Sequence, residues 1–448
     1  MAGSVFDSAL FSKLFATGEL GRLFTDSAEL RAMLLVEGML ARAQGKLGVI
    51  PEISAQAIAR AAMEVQLDPG ALAGETGRNG VCVPALVAAF RDEMQAPEHA
   101  AYVHWGATSQ DIIDTGLMLR LRQALVLVEA DLRALLAMLA QLAENHADLP
   151  MPGRSYGQHA TPTSFGAVVA SWGAPLLDLL DELPALRERG LLVSLSGAVG
   201  TANALGPKAE ETRAELADLL KLRDPGRSWH TDRAPVLRIA DWLVRMTLVL
   251  GKMGEDATEL TQTGIAELRL GGGGSSSTMP QKQNPVGPSV LVALARQGAG
   301  LSSVLQGAAM HRHQRDGAAW FTEWMCLPQI VLGAGAAGQT ARAICTGLAP
   351  DGPKMAEALT AHQGTIHAEA LSFALTAHLS RPKAQAATKA LCREAVESGT
   401  PLPDLVARDW PQIEAALFDP RRQLGTAPLE ARDFASAAKE LLTEGRAE

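Results

Sequence analysis

At 448 residues the chain is long enough for two or three domains, and its net charge of −9 argues against nucleic acid or an anionic membrane as partner. Hydrophobic residues make up 47% but aromatics only 4%, a composition that suits long packed helices rather than β-sandwiches. A small anionic substrate stays open, because a pocket can be locally positive inside an acidic protein. The opening MAGSVFDSALFSKLF lacks a basic stretch followed by an apolar one, so no signal peptide is expected. Charge-free stretches such as 160–177 hold Thr, Ser, Gly and Pro and are poor membrane spans. Cys82, Cys326, Cys345 and Cys392 are scattered without a CxxC pair and read as free thiols of a reducing compartment. The expectation is a cytoplasmic protein.

From the N-terminus, shorter helical patterns are broken at Gly48, Pro51, Pro69 and Gly80. VHWGATSQDIIDTG (103–116) then sets His104, Thr108, Ser109 and Asp111 just ahead of a long apolar repeat. Thr108 and Ser109 are natural donors to a carboxylate at a helix start, and equally natural caps supported by Asp111. From Ile113 through Leu117, Leu121, Ala124, Val128, Leu132, Leu135, Leu139 and Leu142 the apolar positions step by three or four, with no proline before Pro150. The spacing predicts a helix of about 35 residues, on the order of 50 Å long, a length that belongs to elongated bundles.

RSYGQHATPTSFG (154–166) gathers Arg154, Tyr156, Gln158 and His159 ahead of a helix expected to open at its proline. His159 suits either a hydrogen-bonded structural group or a titrating one. Further long helices are expected from about Arg233 to Leu268 and from Pro285 towards His311, and no β-alternation of any length is visible. Between them lies GGGGSSSTMPQKQNP (271–285), whose glycines, serines and lysine suggest a phosphate loop. That motif needs Lys followed by Ser or Thr after a strand; here Lys282 sits between Gln281 and Gln283 behind a segment read as helical, and the dinucleotide pattern fails at Ser276. With Asn284 as cap and Pro285 as first helical residue, Lys282 and Asn284 fall at a helix N-terminus that favours an anion. The glycines would let a serine-bearing loop move over it.

His311 and His313 lack a Cys or carboxylate at usable spacing, so no metal site is expected. Arg315 suits a carboxylate fork or a solvated salt-bridge face. His362 and His367, five apart, read as structural. Shorter helices separated by Pro353, Pro382 and Pro401 follow from about Ala349. The expected organisation is an N-terminal helical domain (1–102), a central long-helix bundle (103–348) and a C-terminal helical domain (349–448).

Together HWGATSQD, SYGQHATPTSFG and SSSTMPQKQNP resemble the three signature regions of the fumarase/aspartase superfamily, the last in its form G-S-S-x-M-P-x-K-x-N with Ser275 replacing the glycine. The likeness runs from about Thr25 to about Arg393. Within the superfamily, HWGATSQDIIDTG, QHATPTSFG, the W-x-x-E-W-x-x-L-P-Q pattern from Trp320 and AEALSFAL are similar to the bacterial 3-carboxy-cis,cis-muconate cycloisomerases. The resemblance implies an all-α, three-domain fumarase/aspartase-like fold with a central bundle of long helices. It implies a homotetramer whose active sites combine the three regions from three subunits, with no metal and no cofactor; the charge and hydropathy add the expectation of no nucleic-acid and no membrane partner. Ser276 matches the mobile-loop serine, and Lys282, Asn284, Thr108, Ser109 and Gln158 match carboxylate-binding positions. Arg315 falls where adenylosuccinate lyases carry an arginine in an E-R-D segment, with Gln314 in place of the glutamate.

Two departures set the chain apart. Superfamily lyases carry a histidine in the second region and a glutamate five residues after the loop asparagine that pairs with it; these positions hold Tyr156 and Ser289. Without that dyad, adenylosuccinate and argininosuccinate lyase chemistry is disfavoured, and the cycloisomerases share the loss. The implied reaction is lactonisation of 3-carboxy-cis,cis-muconate, a small tricarboxylate, in protocatechuate breakdown through the β-ketoadipate pathway. Lys282 would be an oxyanion donor, and the proton donor is open among Tyr156, Ser276, His104 and His159. A sulfonate-bearing or otherwise substituted muconate, a lyase with another acid–base pair, and a non-catalytic scaffold are the alternatives.

Overall fold

The computed structural model describes residues 3–272, 274–275, 279 and 282–444. Five helices lead the chain: α1 (Asp26–Lys46), α2 (Glu52–Glu64), α3 (Pro69–Asn79), α4 (Val83–Met94) and α5 (Pro97–Ala100). Their ends follow the local chemistry. The Thr25 hydroxyl accepts the Ala28 N–H to cap α1, Asp68 caps α3 ahead of Pro69, and Gly80 closes α3 at φ 71°. α1 and α2 approach closely because α1 presents Gly38 and Gly45 to alanines. A Cβ added at these glycines would lie 2.7 Å from the Ala62 methyl and 2.4 Å from that of Ala55.

The predicted first long helix is α6 (Ser109–Asn145), 37 residues long. Its opening turns are buried on every side, from Gln110 through Leu121. The polar residues there, Gln110, Asp111, Asp114 and Thr115, therefore need partners inside the protein.

After α6 comes an antiparallel hairpin, β1 (Pro150–Ser155) with β2 (Gln158–Ser164), where a proline-opened helix was expected. The turn residues Tyr156 and Gly157 have φ of 52° and 71°, the primed conformation whose twist matches paired strands. Pro152 and Pro162 face each other across the pair, where neither has an N–H to contribute. The next helix, α7 (Phe165–Gly190), therefore starts at Phe165 rather than at Pro162.

α8 (Ala209–Leu220) is short, and α9 (Ala234–Leu260) stops before the expected Leu268. Gly264 at φ 99° and Ala266 at φ 50° turn the chain, and β3 (Leu268–Arg269) follows, pairing with β6 (Ala349–Pro350). The glycine run thus follows a strand, not a helix. Within it β4 (Gly274–Ser275) pairs with β5 (Gln283–Asn284). α10 (Val286–Ala308) begins after Pro285, whose carbonyl accepts the Ser289 N–H at 3.1 Å. Pro285 therefore holds the cap position expected for Asn284, and Asn284 is a strand residue. α11 (Gly317–Gly347) is a further long helix that the sequence pattern alone did not mark out. α12 (Gly352–Thr360), α13 (Ala368–Ala374), α14 (Arg381–Ser398), α15 (Leu402–Asp409) and α16 (Ala427–Glu444) complete the chain.

The chain forms two compact units. One comprises Met1–Asp131, Leu179–Leu248 and Ala293–Gln339; the other comprises Leu132–Asp178, Val249–Val292 and Thr340–Glu448. The first buries Leu34, Leu40, Phe90, Trp229, Trp242 and Trp320; the second buries Phe165 and Trp172 and holds an aliphatic cluster of Leu371, Leu375, Leu391, Leu402, Leu405 and Val406. The expected all-α class holds. All four cysteines are free thiols, and among the described residues no helix is long and apolar enough to cross a membrane.

Candidate active site

In the first unit the site grows out of the N-terminus of α6. Thr108 caps the helix: its carbonyl accepts the Asp111 N–H at 2.9 Å, and Asp111 Oδ2 accepts the Thr108 N–H at 3.1 Å. Asp111 does more than support a cap. Its Oδ1 also accepts from His230 Nε2 (2.8 Å), the Ser196 N–H (2.9 Å) and the Ser194 hydroxyl (3.2 Å), and its Oδ2 from the Gly197 N–H (2.9 Å). One fully buried carboxylate thus fastens the Ser194–Gly197 segment to the helix start that carries Thr108 and Ser109.

Arg315 joins the same cluster. Its Nε donates to Gln110 Oε1 at 2.8 Å, and a terminal nitrogen reaches the Thr108 hydroxyl (3.4 Å) and the Ala198 carbonyl (3.3 Å). These acceptors are uncharged, so the guanidinium is oriented without being neutralised. The Gln110 amide is itself fixed, because Nε2 donates to Asp114 Oδ2 (3.1 Å) and the His230 carbonyl (2.9 Å). Deeper still, buried Arg233 bridges Asp114 (2.8 and 3.0 Å) and Glu323 (2.8 and 2.7 Å) and stacks 4.9 Å from the Trp229 ring. Burial opposes the Arg233 charge, but the two carboxylates outweigh it and raise its pKa.

His104 precedes this cap with a backbone φ of 63°. Its Nδ1 lies 2.6 Å from Glu37 Oε1 on α1, and the neighbouring Trp105 carbonyl accepts from Gln44 Nε2 at 2.7 Å. Burial pulls the imidazole down, but the hydrogen bond and charge of Glu37, helped by Asp111 and opposed by Arg91, leave it raised above its ordinary value.

The second unit holds the remaining candidates. Tyr156 stands at the hairpin tip with its side chain fully exposed, and Gln158 beside it is exposed as well. His159 is half-buried on β2 with its ring 6.0 Å from that of His362; burial, then Arg154, push its pKa down. Arg154 pairs with Glu267 in a two-pronged bridge (2.9 and 2.5 Å), Glu267 being fully buried. Lys282 is exposed, Asn284 is half-buried in β5, and the Ser289 hydroxyl donates to the Pro285 carbonyl at 2.9 Å. Ser276 lies outside the described residues. Among the described residues no group of three or more His, Cys, Asp or Glu side chains is arranged to hold a metal ion.

The structure therefore joins Thr108 and Arg315 in one cluster, with Ser109 next in the chain, and adds residues the sequence alone did not single out: Glu37, Gln110, Asp114, His230 and Arg233. Glu37 carried a readable signal, being the one charged residue in the apolar run AMLLVEGMLA (32–41).

A family model described as lyase matches residues 15–300. A 3-carboxy-cis,cis-muconate cycloisomerase of Pseudomonas aeruginosa is 37% identical, covering 93% of this chain and 94% of the relative. A nitrosuccinate lyase of Streptomyces davaonensis is 35% identical, covering 95% of this chain and 94% of the relative. The crystal structure of the 3-carboxy-cis,cis-muconate lactonizing enzyme of Pseudomonas putida superposes with a TM-score of 0.91 at 36% identity, covering 97% of this chain and all of that one. The chain belongs to the lyase family of the fumarase/aspartase superfamily.

Proposed function

We propose that the protein is a cycloisomerase that lactonises 3-carboxy-cis,cis-muconate to a carboxymuconolactone in protocatechuate degradation. It would work as a cytoplasmic homotetramer with active sites shared between subunits. The observation that carries this reading is the loss of both halves of the lyase dyad in a chain with full-length cycloisomerase relatives. Position 156 presents a phenol on an exposed turn, and Ser289 engages its own helix turn, so neither an imidazole nor a carboxylate stands at these places.

One substrate carboxylate oxygen attacks the conjugated diene, forming a C–O bond while the π electrons move onto another carboxylate as an enediolate. A proton then forms the new C–H bond on the α carbon. Near neutral pH the substrate trianion takes up one proton in total. Arg315, with Thr108, Ser109 and Gln158, would hold carboxylates in place. Lys282 and Asn284, with the free N–H groups opening α10, would stabilise the developing enediolate. No external nucleophile is required, since the substrate supplies its own.

The test is an ultraviolet assay of purified protein with 3-carboxy-cis,cis-muconate. Decay of the diene absorbance is expected; no decay at micromolar enzyme overturns the reading. A second reading, elimination from a substituted succinate, is favoured by the 35% identical nitrosuccinate lyase, and consumption of nitrosuccinate without lactonisation would select it.

A further inference from the structure

We infer that Glu37 is a positioning residue that holds His104 as the proton donor of the reaction. The inference rests on the lactonisation proposed above and names His104 among the candidate acids as the one that completes it. It replaces the missing lyase dyad with a different carboxylate–imidazole pair, contained within one compact unit.

The geometry carries the argument. Glu37 Oε1 and His104 Nδ1 are 2.6 Å apart; the Glu37 side chain has no exposure, whereas that of His104 keeps 19%. One ring nitrogen is thus tied to a buried carboxylate, in a side chain that itself keeps some exposure. Glu37 Oε2 is buried without a hydrogen-bond partner, so His104 is the group that compensates this carboxylate. A buried carboxylate with so few partners strongly favours a cation beside it. The backbone is set to match. His104 holds a left-handed φ of 63° that costs a non-glycine residue on the order of 1 kcal/mol, and the Gln44 amide fastens the adjoining Trp105 carbonyl at 2.7 Å. Glu37 and Gln44 lie two turns apart on the same face of α1, so one helix fixes both the ring and the bend that presents it.

The charged groups around the ring are Glu37, Asp111 and Arg91. Arg91 opposes the imidazolium but is occupied with the Val103 carbonyl at 2.8 Å, and the balance keeps His104 protonated to higher pH than a free imidazole. His159 is shifted the opposite way and carries less of the acid form near neutrality. Tyr156 has its whole side chain in solvent. His104 also lies just ahead of Thr108, whose hydroxyl meets Arg315, so donor and carboxylate clamp share one short segment. In the step itself the imidazolium N–H breaks as the C–H bond forms on the enediolate carbon. The neutral imidazole then regains its proton from water.

The test combines Glu37→Gln, which keeps shape and removes charge, with histidine labelled at 13Cε1. The His104 resonance is assigned by its loss in His104→Gln. Wild-type His104 is expected to titrate above the ordinary imidazole value of about 6.5 and to fall back in Glu37→Gln. An acid that must be protonated loses activity as pH rises through its pKa. The alkaline limb of kcat/KM should therefore move to lower pH in Glu37→Gln, with kcat down roughly tenfold or more at pH 8 and KM little changed. The wild-type titration needs no variant to fold: a His104 that titrates at or below 6.5 overturns the inference. Coincident pH profiles for wild type and Glu37→Gln overturn it as well. A wild type that lactonises nothing at any pH sinks the proposed reaction instead, a different result from either.

Discussion

The cluster at the start of α6 and the hairpin tip at Tyr156 are built in opposite ways. Around Asp111 the polar groups are interlocked: a buried carboxylate takes hydrogen bonds from three backbone N–H groups, a hydroxyl and an imidazole, and Gln110, Asp114 and Arg233 continue the chain inward. Such a network is rigid because losing any one partner leaves another buried and unpaired. At the hairpin tip Tyr156 and Gln158 lie open to solvent, and Lys282 elsewhere in the same unit is exposed too. The lesson is that one set of candidates is oriented by the fold of its own unit, while the other adds nothing to that unit's stability and makes sense only against a substrate or a second copy. Substitutions in the first should cost stability and activity together; side-chain substitutions in the second should leave stability where it is, whatever they do to activity.

The largest expected effect falls on the interlocked side. Arg233→Met leaves Asp114 and Glu323 buried without their cation and should cost about 3–5 kcal/mol in urea unfolding. A loss below about 1 kcal/mol would break the picture of a network held by mutual need, since the median exposed pair is worth no more than that. Next comes Lys282→Ala, which should lower kcat/KM by about two to three orders of magnitude, the scale of one lost oxyanion donor, with the melting temperature unmoved. A fall under about fivefold removes Lys282 from that role. Arg315→Lys keeps the charge but loses the fork aligned by Gln110 and Thr108. It should raise KM roughly tenfold while leaving kcat within about threefold; an unchanged KM would show that the guanidinium does not hold a carboxylate.

The same contrast explains how much was legible beforehand. The apolar spacing from Ile113 to Leu142 predicted α6, and glycines and prolines marked the ends of α1 to α3, because these signals are local. Thr108, Ser109 and Arg315 were found as candidates, but their joining was not foreseeable: Gln110 and Arg315 meet across 205 positions of sequence. Asp111 was read only as support for a cap at Thr108 or Ser109, because its near neighbours alone were in view, while His230 and the Ser194–Gly197 segment arrive from two distant loops. The hairpin was missed because three prolines and an alanine disguise its alternation, and the Tyr156-Gly157 pair is a weaker turn signal than Asn-Gly. α9 was read too long because apolar spacing continues past Leu260, where positive φ at Gly264 and Ala266 ends it.

The smallest predicted effect tests the hairpin side most sharply. Tyr156→Phe removes one hydroxyl from a fully exposed side chain, so neither stability nor the turn should change. If His104 supplies the proton, kcat should also stay within about threefold, since general acid catalysis by a positioned group is worth about 10²–10⁴ and none of that is removed. A loss of kcat beyond about a hundredfold with KM unchanged would make the phenol the acid and demote the Glu37–His104 pair to a structural contact. Gly157→Ala supplies the control for position rather than chemistry. The turn needs φ near 71° there, with open space around it, so the cost is backbone strain of about 1 kcal/mol and not a clash. If Gly157→Ala slows turnover while Tyr156→Phe does not, the hairpin contributes where it places its neighbour Gln158, and the ring of Tyr156 serves as a wall.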